Sequence, residues 1–243
     1  MSDETLVIRG SSTLYEGEYD FPVKVYGSLK VIGDFLVRSL ECYGSANIEG
    51  DLVIEEDLVV TGALMANNVT VNGNCSISGG VNILKDLECI GELELDGGAR
   101  IAGDLKCSHL VVNGGLLVFG DIEVNNDCEI CGGIRIEGDM RIGRSLVMNV
   151  SGKGEIRVKG DIRVGENLEI KAKDDEAKAI IGGDVIVQED AIIEHTQILG
   201  ELKATNVFLG KETIVKNDVY YVEEIKIDPS AKVMGRIIKI ASI

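Results

Sequence analysis

The chain contains the consecutive blocks GDIEVN at residues 120–125, NDCEIC at 126–131, GGIRIE at 132–137 and GDMRIG at 138–143. In each block a corner pair of Gly, Asp or Asn precedes two apolar residues that flank one charged residue. Residues two positions apart point to the same side of a β-strand, so each block predicts a short strand with one buried face. Because the fourth block returns to Gly-Asp, three blocks make one turn of a coil.

Apolar pairs with this spacing recur along the chain and fall into three columns. In one column Leu52/Ile54 is followed by Val69/Val71 and then by Leu87, at steps of 17 and 18 residues. Such a repeat places each strand beside its counterpart in the next coil, parallel and in register. The sequence therefore predicts an all-β fold, a three-sided parallel β-helix (β-solenoid) with 17–18 residues per coil and about 11–13 coils.

The pattern runs almost from end to end, so we expect a single β-helix domain over residues 1–243. At two places the spacing between equivalent strands of successive coils is longer than 17–18 residues. The longer spacings predict short surface loops at residues 149–153 and 171–178 that leave the same edge in successive coils, because loops absorb extra length at little cost.

Composition limits the class of partner. The formal net charge is −17 and no dense cluster of Lys or Arg is present, which argues against nucleic acid and anionic membranes as direct partners. No apolar run approaches the ~20 residues that span a bilayer, and the start MSDE lacks the basic residues of a signal peptide. We expect a cytoplasmic protein without direct membrane binding.

Five of the six cysteines are predicted to pack in the core, because they occupy positions that are Leu, Ile or Val in neighbouring blocks: Cys42, Cys75, Cys89, Cys107 and Cys128. Cys128 and Cys131 are three apart on a strand and therefore face opposite sides, so their spacing does not predict a metal site. No phosphate-binding loop precedes a helix. The sequence predicts no metal, no cofactor and no catalytic residue.

Hexapeptide-repeat acyltransferases are the enzymes that the period resembles most. Their motif has a small residue two positions before the large aliphatic one, where this chain has Leu87, Ile122 and Met140. Such an enzyme also needs a histidine base. His109 and His195 occupy corners of different turns, and each is predicted to be a solvated side chain without a carboxylate to orient it. An acyltransferase, or a β-solenoid subunit of a larger complex, is the alternative to a non-enzymatic structural protein.

The recurring Gly-Asp-aliphatic blocks carry a family likeness. They resemble the bactofilins, the polymer-forming cytoskeletal proteins, at residues 33–37, 50–54, 103–107, 120–124, 138–142, 160–164 and 183–187, and as Gly-Glu-Leu at 200–204. The resemblance implies a right-handed β-helix that polymerises end to end without nucleotide into non-polar filaments, which scaffold other proteins. The expected partners are therefore copies of the chain itself and a scaffolded protein of unknown identity.

Both ends of the coil are apolar and are predicted to form the polymerisation interface. A β-helix without caps leaves unpaired strand edges at its ends, which are templates for pairing with another chain. The register of the last stretch, GRIIKI at 235–240, is left open because its alternation is shifted by one. The candidate interface residues are Leu6, Val7, Ile8, Ile237, Ile238, Ile240 and Ile243.

Overall fold

The computed structural model describes residues 4–150, 154–172 and 178–243, and every regular element in these ranges is a β-strand. The described pairings are parallel, and together they give about 12 turns, so the predicted β-solenoid is confirmed. No helix in the described ranges is long and apolar enough to cross a bilayer. The chain divides into two compact units, Met1–Gly114 and Gly115–Ile243, and the boundary falls inside strand β9. The single domain expected over residues 1–243 stays a prediction.

The first unit contains long strands that continue around corners. Successive coils pair in register at Leu6, Val23, Leu40, Leu58 and Cys75, as the 17- and 18-residue steps predict. The strands are β1 (Leu6–Tyr19), β2 (Val23–Val37), β3 (Leu40–Ile48), β4 (Leu52–Ile54), β5 (Leu58–Ala66), β6 (Val69–Val71), β7 (Cys75–Ile83), β8 (Leu87–Ile101) and β9 (Leu105–Val118).

A column of glycines lets these strands bend without interrupting the ladder. Their φ angles lie between +131° and +152°, a region that L side chains rarely adopt. A Cβ placed on any of them would lie 2.0–2.4 Å from the carbonyl oxygen of the glycine one coil earlier. Only glycine fits this corner, and the column consists of Gly27, Gly44, Gly62, Gly79, Gly97 and Gly114.

The second unit has shorter strands separated by sharper corners. One of its inward columns runs through Ile122, Met140, Ile162, Val185 and Leu202. The strands are β10 (Ile122–Val124), β11 (Cys128–Cys131), β12 (Ile134–Ile136), β13 (Met140–Ile142), β14 (Leu146–Val150), β15 (Glu155–Val158), β16 (Ile162–Val164), β17 (Leu168–Ala172), β18 (Lys178–Ile181), β19 (Val185–Val187), β20 (Asp190–Ile193), β21 (Thr196–Ile198), β22 (Leu202–Leu209), β23 (Ile214–Val215), β24 (Val219–Ile227), β25 (Lys232–Val233) and β26 (Ile237–Lys239).

The strands extend into both predicted loops. Asn149 pairs with Lys171 at the ends of β14 and β17, and Glu155 pairs with Lys178 at the starts of β15 and β18. The two insertions are therefore flanked by the same strand columns, while residues 151–153 and 173–177 lie outside the described residues.

The core consists of stacked aliphatic side chains, as the composition predicts. The apolar residues that alternate along the three columns are buried from Val23 as far as Ile181. Five of the six cysteines are among them. The columns continue beyond the assigned pairs through Ala191/Ile193 and through two threonines. Thr196 and Thr213 are buried among aliphatics because their hydroxyls donate to the backbone carbonyls of Glu194 (2.7 Å) and Ile193 (2.9 Å).

Corner carboxylates and amides tie each coil to the next. The Oδ1 of Asp34 accepts the backbone N–H of Asp51 at 2.9 Å, and the Oδ1 of Asn68 accepts that of Asp86 at 3.2 Å. The same bond joins Asp161 to Asp139 in the second unit, at 2.9 Å. The Asp of the recurring Gly-Asp corner is therefore a structural acceptor for the following coil.

Candidate polymerisation surfaces

The N-terminal edge of the first unit is formed by β1, for which the described residues give one pairing, with β2. Leu6 and Ile8 continue the inward columns of Val23 and Val25, while Val7 points outward and is 48% exposed. The opposite side of β1 carries backbone N–H and C=O groups without a described strand partner. The structure thus places Leu6, Val7 and Ile8 at an open strand edge.

An aromatic cluster closes part of this edge. Gly17 pairs with Phe35 and has no side chain to cover it. The ring of Tyr19 packs edge-on against Phe35 at 5.1 Å between centroids and against Phe21 at 5.8 Å. Phe35 is consequently fully buried, although it lies only one coil from the end.

The C-terminal edge of the second unit comprises residues 222–240. Ile225 and Ile227 extend the columns of Val207 and Leu209, and Val233 extends that of Val215. The column members one coil earlier are buried, whereas Ile227 is 39% exposed because no described coil follows it. Among the described residues, no further strand covers this aliphatic layer.

The register of the last strand is now fixed. Ile237 pairs with Val219 and therefore points inward, and it is 47% exposed. Ile238 pairs with Tyr220 and points outward, and Lys239 occupies the inward position above Tyr221. Ile240 follows β26 and donates its backbone N–H to Tyr221. Ile240 and Ile243 are half-buried outside the strands, so the structure places Ile237 on the inward layer but not Ile238, Ile240 or Ile243.

The buried cysteines lack the features of reactive thiols. Burial raises the pKa of Cys89 to about 11 and raises the pKa values of Cys42, Cys75 and Cys107. At neutral pH these thiols stay protonated, and the protonated thiol is neither the nucleophile nor the metal ligand. No group of His, Cys, Asp and Glu in the described residues is arranged to hold a metal ion.

Replacing Cys89 and Cys107 together with valine is expected to change the free energy of unfolding by less than ~1.5 kcal/mol, because valine nearly conserves volume in an aliphatic stack. The Sγ of Cys89 lies 3.3 Å from two backbone carbonyls, a weak interaction that valine loses at little cost. Chemical unfolding and metal analysis of both proteins measure the effect. Loss of folding, or of a bound metal, would contradict a packing role.

The histidines lie in different settings. His109 is half-buried with its Nδ1 3.3 Å from the hydroxyl of Ser108. The side chain of His195 is only 13% exposed and its Nδ1 lies 3.7 Å from the carboxylate of Glu212, so the expectation of a solvated ring without a carboxylate is wrong there. His195 and Glu212 both have positive φ angles, 49° and 53°, at stacked corners. The two residues are 17 apart in the sequence, so the coil period that aligns the inward columns also stacks these two corners.

A family model matches part of the chain. Residues 20–123 match the family model Bactofilin, described as polymer-forming cytoskeletal. The search of curated proteins found no match, and neither did the search of solved structures. The matched segment contains strands β2 to β9, and its Gly-Asp corners belong to the acceptor ladder described above. Over residues 20–123 the chain is therefore similar to the bactofilin family of polymer-forming cytoskeletal proteins.

Proposed function

We propose that this chain is a structural protein that assembles with itself, end to end, into filaments without nucleotide, and that these filaments act as a scaffold for other proteins. The observation that carries the proposal is that both coil ends expose inward-column residues that no described strand covers. Leu6 and Ile8 at one end, and Ile227 and Ile237 at the other, continue columns whose next members are buried. Docking at these ends repeats the strand pairing and side-chain stacking found between successive coils, and it produces an open polymer rather than a closed ring.

Nucleotide independence follows from the chemistry of the ends. The edges consist of backbone hydrogen-bonding groups and aliphatic side chains, whose association is driven by strand pairing and apolar burial. Neither interaction requires phosphate hydrolysis. The same surfaces support a non-enzymatic role.

A scaffold role is supported by the regular outer faces. Parallel coils repeat every 17–18 residues, so side chains of successive coils form columns on the surface. An example is the stack of Tyr26 on Tyr43, with ring centroids 5.3 Å apart and planes 9° from parallel. The six free cysteines are typical of a reducing compartment, and the proposal places the filaments in the cytoplasm.

Assembly is tested by pelleting and negative-stain microscopy of the purified chain, with EDTA present and nucleotide removed enzymatically. We expect filaments whose abundance rises with protein concentration and does not change when nucleotide or Mg²⁺ is added. A protein that stays monomeric at every concentration, or that polymerises only with nucleotide, would overturn the proposal.

A further inference from the structure

We propose that one outer face of the first unit docks a basic amphipathic α-helix of the protein that the filament scaffolds. This acidic face consists of the strand Leu52–Ile54 and its counterparts in the neighbouring coils, together with the corners on either side. The inference rests on the proposed scaffold role and adds the docking surface and the chemistry of the partner. The residues of the acidic face are 32–39, 49–57, 67–74, 84–92 and 102–109.

The negative charge of these coils is concentrated on the acidic face. The face contains ten carboxylates and three basic residues, a net charge of −7, whereas the rest of residues 23–114 contains three of each and is neutral. Glu55, Glu56 and Asp57 are exposed together at one corner, and no ion pair within the described ranges involves them. Such a surface attracts a cationic partner and repels an anionic one.

The same face carries exposed aliphatic side chains. Ile32, Leu84 and Ile90 are exposed at its corners, and no other Ile or Leu of residues 23–114 is as exposed. Between the corners, Leu36 and Val53 are paired on adjacent strands, point outward and are half-buried. An aliphatic surface bordered by carboxylates is complementary to a helix whose apolar stripe is flanked by Lys or Arg.

The dimensions of the face match those of a helix. Asp51 and Glu55 lie four residues apart at its two corners, about 13 Å, and an α-helix is about 10–12 Å across. Along the axis the coils repeat at ~4.8 Å and helical turns at ~5.4 Å, so apolar side chains one turn apart meet successive outward residues. Five coils span about 19 Å, the length of a helix of about 13 residues.

The aromatic surface of the same unit is already matched by contacts within the chain. The rings of Tyr26 and Tyr43 stack on each other, and the Nζ of Lys24 lies 5.9 and 5.4 Å from their centroids. Lys24 also forms an ion pair with Glu41 at 2.5 Å. Charge and aromatic area are balanced on this surface, whereas the acidic face keeps its net charge of −7.

Binding is tested by fluorescence anisotropy with a labelled helical peptide of about 14 residues built from Leu, Lys and Ala, with leucines in one stripe and lysines on both flanks. We expect about micromolar affinity at low salt, weakening as salt rises. Glu55→Gln/Glu56→Gln should weaken binding about five- to tenfold, because two carboxylates at one corner lose their charge. The control Glu94→Gln/Asp96→Asn removes the same charge from outside the acidic face and should change the affinity less than about twofold.

The aliphatic contacts need a separate test, because any cationic peptide is attracted to a chain of net charge −17. Leu84→Ser/Ile90→Ser should weaken binding of the striped peptide about fivefold or more. Tyr26→Ser/Tyr43→Ser removes exposed aromatic side chains from outside the acidic face and should not weaken it. A peptide of the same composition, with leucines scattered around the helix, should bind the parent more weakly and should not distinguish these two variants. Circular dichroism verifies the fold of each variant.

Equal binding of the striped and scattered peptides, or equal binding of the parent and both variants of the acidic face, would reduce the attraction to non-specific charge and overturn the docking site. Absence of binding to a parent that forms filaments would also overturn it, while leaving the assembly in place. A parent that binds the striped peptide but forms no filaments would instead refute the proposed function and leave the docking site standing.

Discussion

Replacing Gly79 with alanine is expected to lower the free energy of unfolding by about 3–5 kcal/mol, whereas the same change at Gly80 should alter it by less than about 0.5 kcal/mol. Gly79 has φ +146°, and a Cβ there would lie 2.0 Å from the carbonyl oxygen of Gly62. The backbone of two coils must separate to accept it, which breaks ladder bonds on both sides. Gly80 has nothing within 4 Å of the added atom, and Ala63 already occupies its column one coil earlier.

The two substitutions add the same methyl group at adjacent positions, so the Gly80 variant controls for composition and helix or strand propensity. Urea unfolding followed by circular dichroism measures both. Equal stability of the two variants would mean that the glycine column tolerates side chains and does not determine the corner. Because the strands in this unit run through the corner without a break, such a result would also contradict the strand register itself.

Filament formation is expected to be lost when Ile227 and Ile237 are both replaced by lysine. Each isoleucine forfeits about 1.5–3 kcal/mol of apolar burial at the joint, and each lysine adds a desolvation cost, so association weakens by about 5 kcal/mol or more, over a thousandfold. The monomer should keep its fold, since both side chains are already partly exposed in the single chain. Sedimentation and microscopy measure the loss, and circular dichroism measures the fold.

A matched control replaces Leu84 and Ile90 with lysine. These residues are 47% and 61% exposed but lie on the sides of the first unit rather than at an edge. The control should form filaments like the parent. If Ile227→Lys/Ile237→Lys also does so, the C-terminal edge is not part of the joint, and the insertions at 149–153 and 171–178 become the next surface to test.

Much of the fold was predictable because one period governs it. A pair such as Leu52/Ile54 has a counterpart 17 residues later, so its burial and its parallel partner Val69 follow from counting alone. The same counting predicts core positions for five of the six cysteines, and those five are buried. Even the start of the coil at Leu6 followed by stepping back one period from Val23.

The period fails as a guide where the chain ends or where a polar residue replaces an aliphatic one. The sequence of the last strand fits two registers, one with Ile237 pointing inward and one with Ile238 and Ile240 pointing inward. Only the pairing of Ile237 with Val219 shows that Ile237 points inward and that Lys239 lies on the same face. Thr196 and Thr213 break the apolar pattern yet are buried, because each hydroxyl finds a backbone carbonyl that the sequence does not reveal.

The hydrogen bonds between corner residues of successive coils do not depend on the charge of the acceptor residue. The acceptor in each bond is the side-chain oxygen Oδ1, which both Asp and Asn have. Asp57 accepts the backbone N–H of Asn74 at 2.7 Å, and Asn74 in turn accepts the backbone N–H of Glu92 at 3.0 Å. Each exchange of Asp for Asn changes the net charge by one unit and leaves the coil intact. Exchanges at these corners can therefore change the electrical potential of the surface, one coil at a time, along the same backbone.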